Sequence, residues 1–236
     1  MFGAVGFESE LVNTIGKAGR AFMGYRVHEI FYSLQGEGVQ TGCPAVFCRF
    51  SGCNLWSGGE EGRKEALCSF CDTDFVGIEG LGGEEFANPQ ELAVALEKAW
   101  TGTGIAKKLV VLTGGEPLLQ VDSALVEALH RADFTVALET NGTLPAPSGI
   151  DWICVSPKAR APLKQLSGNE LKVVFPQEGL NPADLEDLLF DHLLIQPCQV
   201  EDPEENRKNL EKSIAFVKAH PRWRLSVQIH KILQIP

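Results

Sequence analysis

Basic side chains and long apolar runs are both scarce in this chain. Among 236 residues, 21 Lys and Arg face 31 Asp and Glu, which gives a formal net charge of -10. Such a surface does not capture nucleic acid or anionic membranes broadly, because both require many basic groups to replace counterions. No apolar run reaches the roughly 20 residues of a spanning helix, and the N-terminus lacks the charged-then-apolar order of a secretion signal. We therefore expect a cytoplasmic protein that engages neither nucleic acid nor membrane.

Methionine is also rare, and its positions bear on where the folded part of the chain begins. Met23 is the only methionine besides Met1, and residues 1–22 show weak periodicity and no helix-capping pattern. We interpret residues 1–24 as an extension of unknown role, with Met23 as an alternative start. A terminal helix that covers one end of the core is the other interpretation. Residues 25–236 are predicted to form a single domain, which suits the length and composition of the chain.

The cysteines do not indicate a disulfide framework. There are seven, an odd number, and Cys53, Cys68 and Cys71 are grouped while Cys154 and Cys198 stand alone. The group lies in residues 51–83, a segment rich in Gly, Cys and Asp that is too long for a routine connection. We predict that a metal cluster orders this segment.

Three grouped thiols favour an iron–sulfur cluster over structural zinc. A gap of fourteen residues separates Cys53 from Cys68, and a gap of two separates Cys68 from Cys71. Structural zinc takes four protein ligands, whereas three cysteines leave one iron of a four-iron cluster open to bind another molecule. The spacing therefore predicts a cluster with one open coordination position.

A zinc site remains the alternative if another cysteine completes it. Cys43 and Cys48 are the two candidates for the fourth ligand. Cys48 shares a face of its predicted strand with Val46 and Phe50, so we interpret it as a small buried side chain rather than a ligand.

Alternating strand-like and helical runs predict a parallel sheet with crossover helices. The strand candidates are residues 45–50, 108–113, 135–139, 152–156, 170–174, 192–196 and 224–228. Capping residues precede three predicted helices, at residues 91–100, 123–132 and 183–190. A fourth helix is predicted at residues 204–219. Polar clusters lie at or just past the C-terminal ends of the strands, where loops of parallel strands converge to build active sites.

Six motifs in order resemble those of one enzyme family. They are FYSLQGEG (31–38), CRFSGCNLW (48–56), CSFCDTDF (68–75), LTGGEPLLQ (112–120), LETNGT (138–143) and VSPKA (155–159). Together they resemble the 7-carboxy-7-deazaguanine synthases of the queuosine pathway, which are radical S-adenosylmethionine (SAM) enzymes. The resemblance runs from about residue 26 to residue 236. Most radical SAM proteins have a three-residue first cysteine gap, and the fourteen-residue gap resembles a subgroup of this family.

The resemblance implies a fold, a reaction and partners. The fold is α/β, a single domain with an incomplete β/α barrel, which acts as a cytoplasmic homodimer with an external electron donor such as a flavodoxin-like protein. A 4Fe–4S cluster and SAM generate a 5′-deoxyadenosyl radical. The implied activity is that of a carbon–nitrogen lyase that converts 6-carboxy-5,6,7,8-tetrahydropterin to 7-carboxy-7-deazaguanine with release of ammonia, assisted by Mg2+.

The resemblance also implies roles for individual residues. It gives Cys53, Cys68 and Cys71 as cluster ligands and Thr73 as the Mg2+ ligand. The implied SAM contacts are Phe70, Asp72, Gly115, Ser156, Pro157, Lys158, Gln196, Pro197, Cys198 and Gln199. The implied substrate contacts are Leu34, Gln35, Gly36, Glu37, Arg49, Thr113 and Pro236, the last through its carboxylate.

Arg49 calls for an anionic partner on physical grounds as well. In its predicted strand it shares a face with Ala45 and Phe47, so a guanidinium projects from an otherwise apolar surface. The substrate carboxylate implied by the resemblance is one partner. An internal carboxylate such as Glu139 or Glu170 is the other.

Other candidate residues also have ordinary structural interpretations. Gly114 and Gly115 either let the backbone approach a ligand or form a plain turn after a strand. Lys158 is otherwise a surface lysine, Thr73 a turn residue, and His230 either assists the site or is structural. For the whole chain, the alternatives are a radical SAM activase of a glycyl-radical enzyme and a zinc-stabilised binding module.

Overall fold

A computed structural model describes residues 24–104 and 107–236, and these form one mixed sheet with few helices. The strands are β1 (Tyr25–Leu34), β2 (Pro44–Phe50), β3 (Glu84–Phe86), β4 (Lys108–Gly114), β5 (Phe134–Thr140), β6 (Trp152–Val155), β7 (Ser167–Phe175), β8 (Leu189–Pro197) and β9 (Trp223–Leu225). The helices are α1 (Pro89–Ala99), α2 (Ser123–Arg131), α3 (Pro203–Ala219) and α4 (Ile229–Leu233). Residues 1–23, nearly all of the predicted extension, lie outside the described residues.

The sheet is open and mostly parallel. Its strand order is β3-β1-β2-β4-β5-β6-β7-β8-β9. Neighbours from β2 to β9 run parallel, whereas β1 pairs antiparallel with both β2 and β3. The predicted α/β class and parallel sheet are confirmed. The implied barrel is confirmed only as this single sheet, because β3 and β9 form two separate edges and the described strands do not close on themselves.

The seven predicted strands are all present. The capping residues predicted for the first two helices also form their hydrogen bonds. The Asn88 side chain accepts a hydrogen bond from the Glu91 N–H at the start of α1, and Asp122 does the same for Leu125 in α2. The last strand is shorter than predicted and covers Trp223–Leu225. No helix in the described part of the chain is both long and apolar enough to cross a bilayer.

The helix predicted over residues 183–190 is wrong. Asn181 does cap a turn, but that turn is a single 3-10 turn at Pro182–Leu185. The apolar end of the run enters β8 instead, where Leu189 pairs with Ser167 of β7. A local cap begins a turn, whereas pairing with a neighbouring strand decides the conformation of the residues after it.

Strand residues alternate between a face covered by α1, α2 and α3 and a second face, here called the helix-free face because none of these three helices packs on it. On the covered face, apolar side chains of the first strands pack with α1 and α2, as Val46, Val110, Val136, Leu96 and Leu125 do. The later strands pack in the same way with α3. Because successive strand residues point to opposite faces, the intervening residues of every strand lie on the helix-free face.

That alternation places the charged strand residues opposite the covered core, on the face that also holds a small buried cluster of Ala45, Leu109, Val111 and Ala137. Arg49 comes directly after Cys48 of the covered core, and Lys172 lies between Leu171 and Val173, which pack on the α3 side. Both charged side chains therefore lie on the helix-free face. The functional residues are predicted to gather on that face, at the carboxyl end of the sheet.

Truncating the covered core will destabilise the protein far more than truncating an exposed strand residue. Leu138 is 0% exposed, so Leu138→Ala should lower the free energy of unfolding by about 2–5 kcal/mol, through lost burial and a residual cavity. Leu189→Ala is the matched control, because Leu189 is 77% exposed and its loss should cost less than about 0.5 kcal/mol. Urea unfolding measures both. Equal losses would contradict the assignment of the core.

Candidate active site

Two adjoining cavities lie where the strands end on the helix-free face. The thiol cavity, of about 200 Å³, is lined by Cys53, Cys68 and Cys71 together with strand-end residues. The arginine cavity, of about 460 Å³, is lined by Arg49 and by the chain after β1. They share the residues Glu37, Asp72, Thr73, Thr113, Glu139 and Gln228.

Nearly all residues predicted for the site line one of these cavities. The thiol cavity contains the three cysteines and Phe70, Asp72, Thr73, Gly115, Ser156, Lys158, Gln196, Pro197 and Gln199. The arginine cavity contains Leu34, Gln35, Gly36, Glu37, Arg49, Thr113, His230 and Pro236. Pro157 and Cys198 line neither cavity. Both are buried, and the Cys198 backbone is bonded to the Phe175 carbonyl and the Asn209 side chain.

The two glycines after β4 pack against the chain that leads to Cys53. Gly114 has a φ of +131°, and a Cβ there would overlap the backbone of Phe50. A Cβ at Gly115 would overlap the carbonyl oxygen of Gly52, and the next residue, Glu116, donates its N–H to that carbonyl at 2.9 Å. The close approach predicted for a ligand is therefore made first by the protein itself.

A buried carboxylate ties this turn to the end of β5. Glu116 is 0% exposed and accepts hydrogen bonds from the Thr140 hydroxyl at 2.7 Å, the Asn141 N–H at 2.8 Å and the Leu118 N–H at 3.0 Å. Burial raises the pKa of Glu116, although these donors oppose the rise. The Asn141 amide in turn donates to Asn54, the neighbour of Cys53. The LTGGEP and LETNGT motifs thus hold the first cysteine arm in place.

The three thiols differ in their electrostatic environment. A hydrogen bond between Cys68 and Cys71 raises the pKa of Cys68 and lowers the pKa of Cys71 to about 6. Burial raises the pKa of Cys53. The ammonium of Lys158 lies close enough to favour the thiolate forms of Cys68 and Cys71. Of the three thiols, only Cys71 is therefore favoured as a thiolate, the form that binds metal, and its hydrogen bond with Cys68 is the cause.

Neither candidate for a fourth thiol can complete a zinc site. Cys43 is exposed before β2, whereas Cys53 lies beyond its end, and seven strand residues separate them by about 20 Å. Cys48 is buried in the covered core, on the other face of the sheet. Among residues 24–104 and 107–236, no three His, Cys, Asp or Glu side chains are close enough together to hold one metal ion.

The donor set therefore fits an iron–sulfur cluster with three protein ligands. The thiols lie around the wall of the cavity, and a four-iron cluster is wider than a single ion. The lining also includes Gly115, Ser156 and Gln196, and among the described residues it includes no further cysteine. A cluster bound there would have protein ligands on one side and a polar cavity on the other.

Arg49 does form an ion pair with an internal carboxylate, the alternative considered from the sequence, but the partner is Glu29 and not Glu139 or Glu170. Glu29 lies directly opposite on β1, and its carboxylate accepts a hydrogen bond from Arg49 Nε at 2.6 Å. Strand β1 was not among the predicted strands, so this partner was missed. Among the described residues only Glu29 accepts from the guanidinium, and its terminal nitrogens remain available at the arginine cavity.

Lys172, a buried lysine of the thiol cavity that was not predicted from the sequence, bonds to two glutamates that line both cavities. Lys172 Nζ donates to Glu37 at 2.7 Å and to Glu139 at 2.9 Å. Burial alone would raise the pKa of Glu37, but the charge and hydrogen bond of Lys172 outweigh it and lower the pKa to about 2. The Gln228 amide holds the other Glu37 oxygen at 2.6 Å. The available signal was a lysine within an apolar strand run, which must find a buried anion.

Glu170 has a different task from the one predicted. Its carboxylate accepts hydrogen bonds from the Trp152 indole N–H at 2.6 Å and from the Val39 N–H at 3.2 Å. It therefore ties the loop after β1 to β7, and burial raises its pKa. This bond helps to place Leu34, Gln35, Gly36 and Glu37 at the arginine cavity.

The last helix, α4, contacts residues that line the two cavities. Lys231 of α4 donates to Asp72 at 2.6 Å, to Gln199 at 2.7 Å and to Gln228 at 3.0 Å. His230 lies against Gly36, where any side chain would collide with its imidazole. The Pro236 carbonyl oxygen accepts a hydrogen bond from the Ser33 hydroxyl at 2.9 Å.

Removing the buried cation will make stability depend on pH in a new way. Lys172→Met leaves Glu37 and Glu139 without their partner, so we expect a loss of about 3–5 kcal/mol at pH 7. In the wild type the pKa of Glu37 falls on folding from 4.5 to about 2, so its stabilisation is present above pH 4.5 and is lost as the pH falls toward 2. In the variant, burial without a cationic partner should instead raise the pKa of Glu37.

The deficit of the Lys172→Met variant should therefore shrink between pH 7 and pH 5. Urea unfolding at the two pH values measures this change. Lys164→Met is the control, because Lys164 is exposed and its loss should alter stability little at either pH. A Lys172→Met deficit that stays equal at both values would contradict the ionised pair.

Known proteins resemble this chain in sequence and in fold. No protein-family model matches the chain. Proteins named 7-carboxy-7-deazaguanine synthase from Caulobacter vibrioides and Burkholderia multivorans are 55% and 54% identical over 214 residues, covering 91% of this chain and 100% of each relative. A crystal structure of QueE from Escherichia coli matches with a TM-score of 0.59 and 29% identity, covering 87% of this chain and 94% of that one. With identity this high over nearly the whole length, the chain belongs to the 7-carboxy-7-deazaguanine synthase family.

Proposed function

We propose that this chain is a radical SAM carbon–nitrogen lyase that forms 7-carboxy-7-deazaguanine from 6-carboxy-5,6,7,8-tetrahydropterin with release of ammonia. One observation carries the proposal. Three cysteines and Arg49, distant in the sequence, line adjoining cavities that share one wall. A cofactor in one cavity and a carboxylated substrate in the other would meet at that wall.

Cys53, Cys68 and Cys71 are the residues that would hold a 4Fe–4S cluster. When bound, the cluster supplies the electron that cleaves SAM to a 5′-deoxyadenosyl radical. The rest of the thiol cavity offers polar groups for the amino acid and nucleoside parts of SAM, from Gly115, Ser156, Lys158, Gln196 and Gln199.

The arginine cavity suits a small carboxylated heterocycle. The terminal nitrogens of Arg49 form a planar fork that can bind a carboxylate through two parallel hydrogen bonds. Glu37, which Lys172 holds ionised, can accept hydrogen bonds from N–H groups of a pterin edge, and Gln35 offers both a donor and an acceptor. Such a cavity favours a small molecule over the protein partner that a glycyl-radical activase requires.

Thr73 and Asp72 line both cavities and are the proposed surroundings of Mg2+. A hard cation prefers oxygen ligands, and a hydroxyl together with substrate oxygens supplies them. Lys231 bonds to Asp72 and so keeps that carboxylate beside the shared wall. The proposal also includes a homodimer and an external, flavodoxin-like electron donor.

The turnover assay tests the proposed reaction directly. Full-length protein, reconstituted without oxygen and given SAM, a reductant, Mg2+ and 6-carboxy-5,6,7,8-tetrahydropterin, should form the deazapurine and ammonia in equal amounts. Cys43→Ser, which changes a thiol outside both cavities, should keep this activity. Production of 5′-deoxyadenosine without the deazapurine would preserve the radical chemistry and remove the assigned substrate.

Iron loading separates the proposed ligands from the other thiols. We expect about four irons per chain in the wild type and in Cys43→Ser after reconstitution, and a large loss in Cys53→Ala and Cys71→Ala. Iron and sulfide analysis with visible absorbance measures the loading. Full loading of Cys53→Ala would show that the thiol cavity is not where the cluster binds.

Arg49→Ala should weaken substrate binding much more than SAM binding. Loss of a charge-assisted contact to the substrate carboxylate should raise the substrate Kd roughly 10- to 100-fold, while the SAM Kd changes less than about two-fold. Titration of reconstituted protein with each ligand measures both constants. Glu29→Gln is the control, because it removes the negative charge beside Arg49 but keeps a hydrogen-bond acceptor and the guanidinium fork. Equal losses for both ligands in Arg49→Ala would contradict the assigned role.

A further inference from the structure

We propose that Arg63 is a positioning residue that holds the turn Cys68–Cys71 in its cluster-binding shape before any cluster arrives. Arg63 lies within the fourteen-residue gap between Cys53 and Cys68, in a stretch outside the six motifs. The inference rests on the proposed function, because it takes the three cysteines as the cluster ligands.

The guanidinium of Arg63 bonds directly to the cysteine turn. Its Nη1 donates to the carbonyl oxygen of Cys71 at 2.8 Å and to that of Ser69 at 3.2 Å. These two carbonyls lie within or at the end of the turn that carries the second and third thiols. One side chain thus fixes the backbone on both sides of the intervening residue, Phe70.

The other sides of the guanidinium are held as well. Nε and Nη2 donate to the two carboxylate oxygens of Glu60 at 2.8 and 2.6 Å. The planar group lies over the indole of Trp56, 4.0 Å from the ring centroid. Arg63 is therefore fixed from within the gap, and it transmits that fixed position to the turn.

The indole under Arg63 belongs to the only apolar group near the thiols among the described clusters. Trp56, Ala66 and Phe75 pack together, and Cys53 and Cys71 pack against them. Trp56 and Phe75 meet edge to face with centroids 5.5 Å apart. The gap therefore supplies both a small apolar support, through Ala66, and a cation that closes it.

A lysine in place of Arg63 could not make all of these contacts. The observed contacts use four donor bonds and one flat face at once, and only a guanidinium offers a planar fork of five N–H donors. Without the tie, cluster binding would itself have to order the turn, and the lost backbone entropy would oppose binding. With Arg63 in place, the turn loses this entropy when the chain folds, before the cluster binds.

The fixed cation has a second consequence for a bound cluster. Reduction adds negative charge to the cluster, and a nearby positive charge favours the more negative form. Loss of the Arg63 charge should therefore shift the reduction potential to a more negative value. This effect depends on charge, whereas the ordering of the turn depends on the fork, so substitutions can separate the two.

The test compares Arg63→Ala, Arg63→Lys and the control Lys64→Ala in the full-length chain. Lys64 is the exposed neighbour, so its loss should change nothing. In metal-free protein, Arg63→Ala should speed hydrogen exchange of residues 64–73 by about five-fold or more, and should slow cluster formation from iron and sulfide several-fold. Arg63→Lys should remain defective in both respects but keep a reduction potential near that of the wild type.

The outcomes separate this inference from the proposed function. Wild-type exchange and loading in Arg63→Ala would overturn the inference alone. Faster exchange across the whole sheet, rather than in residues 64–73, would also overturn it, because it would show a general loss of stability. If Arg63→Ala does not fold, Glu60→Gln weakens the same fork and should give a smaller local effect. A wild-type chain that takes up no iron would defeat the proposed function, and exchange in residues 64–73 would still decide whether Arg63 orders the turn.

Discussion

The buried ammonium of Lys172 holds together the floor of the candidate active site. A lysine inside a protein is tolerated only when anions surround it, and Glu37 and Glu139 provide them from a loop and from β5. Removing any one of the three charged groups therefore destabilises the other two. Glu37 also lines the arginine cavity, where it is a proposed substrate contact. Its ion pair with Lys172 therefore sets both its position and its protonation state.

The cysteine segment is ordered by a different means. It has little apolar core of its own, and different contacts hold its two cysteine-bearing parts. The first arm is held by backbone contact with Gly115 and by the buried Glu116 network, and the second by Arg63 over Trp56. Because both cysteine-bearing parts are held in this way, a long polar segment can present three thiols to one cavity without a large hydrophobic core of its own.

Two motifs therefore have structural duties that precede any contact with a ligand. In LTGGEP, the glycines permit the end of β4 to touch the chain before Cys53, and the glutamate satisfies the end of β5. A motif that reads as a ligand-binding turn can thus owe its residues to the packing of the protein against itself. Contact with SAM, as proposed for Gly115, is compatible with this packing.

The sequence by itself determined the local features and the chemistry that short spacing carries. Strand runs, the capping residues Asn88 and Asp122, and the cysteine group depend on neighbours in the chain, and the family motifs fixed which residues to expect at the site. Tertiary structure decided the pairings. The partner of Arg49, the anions around Lys172 and the conversion of residues 183–190 into β8 all depend on strands that lie side by side although they are distant in sequence. Spacing along one strand reveals which face a side chain takes, but only strand order and register reveal what it meets there.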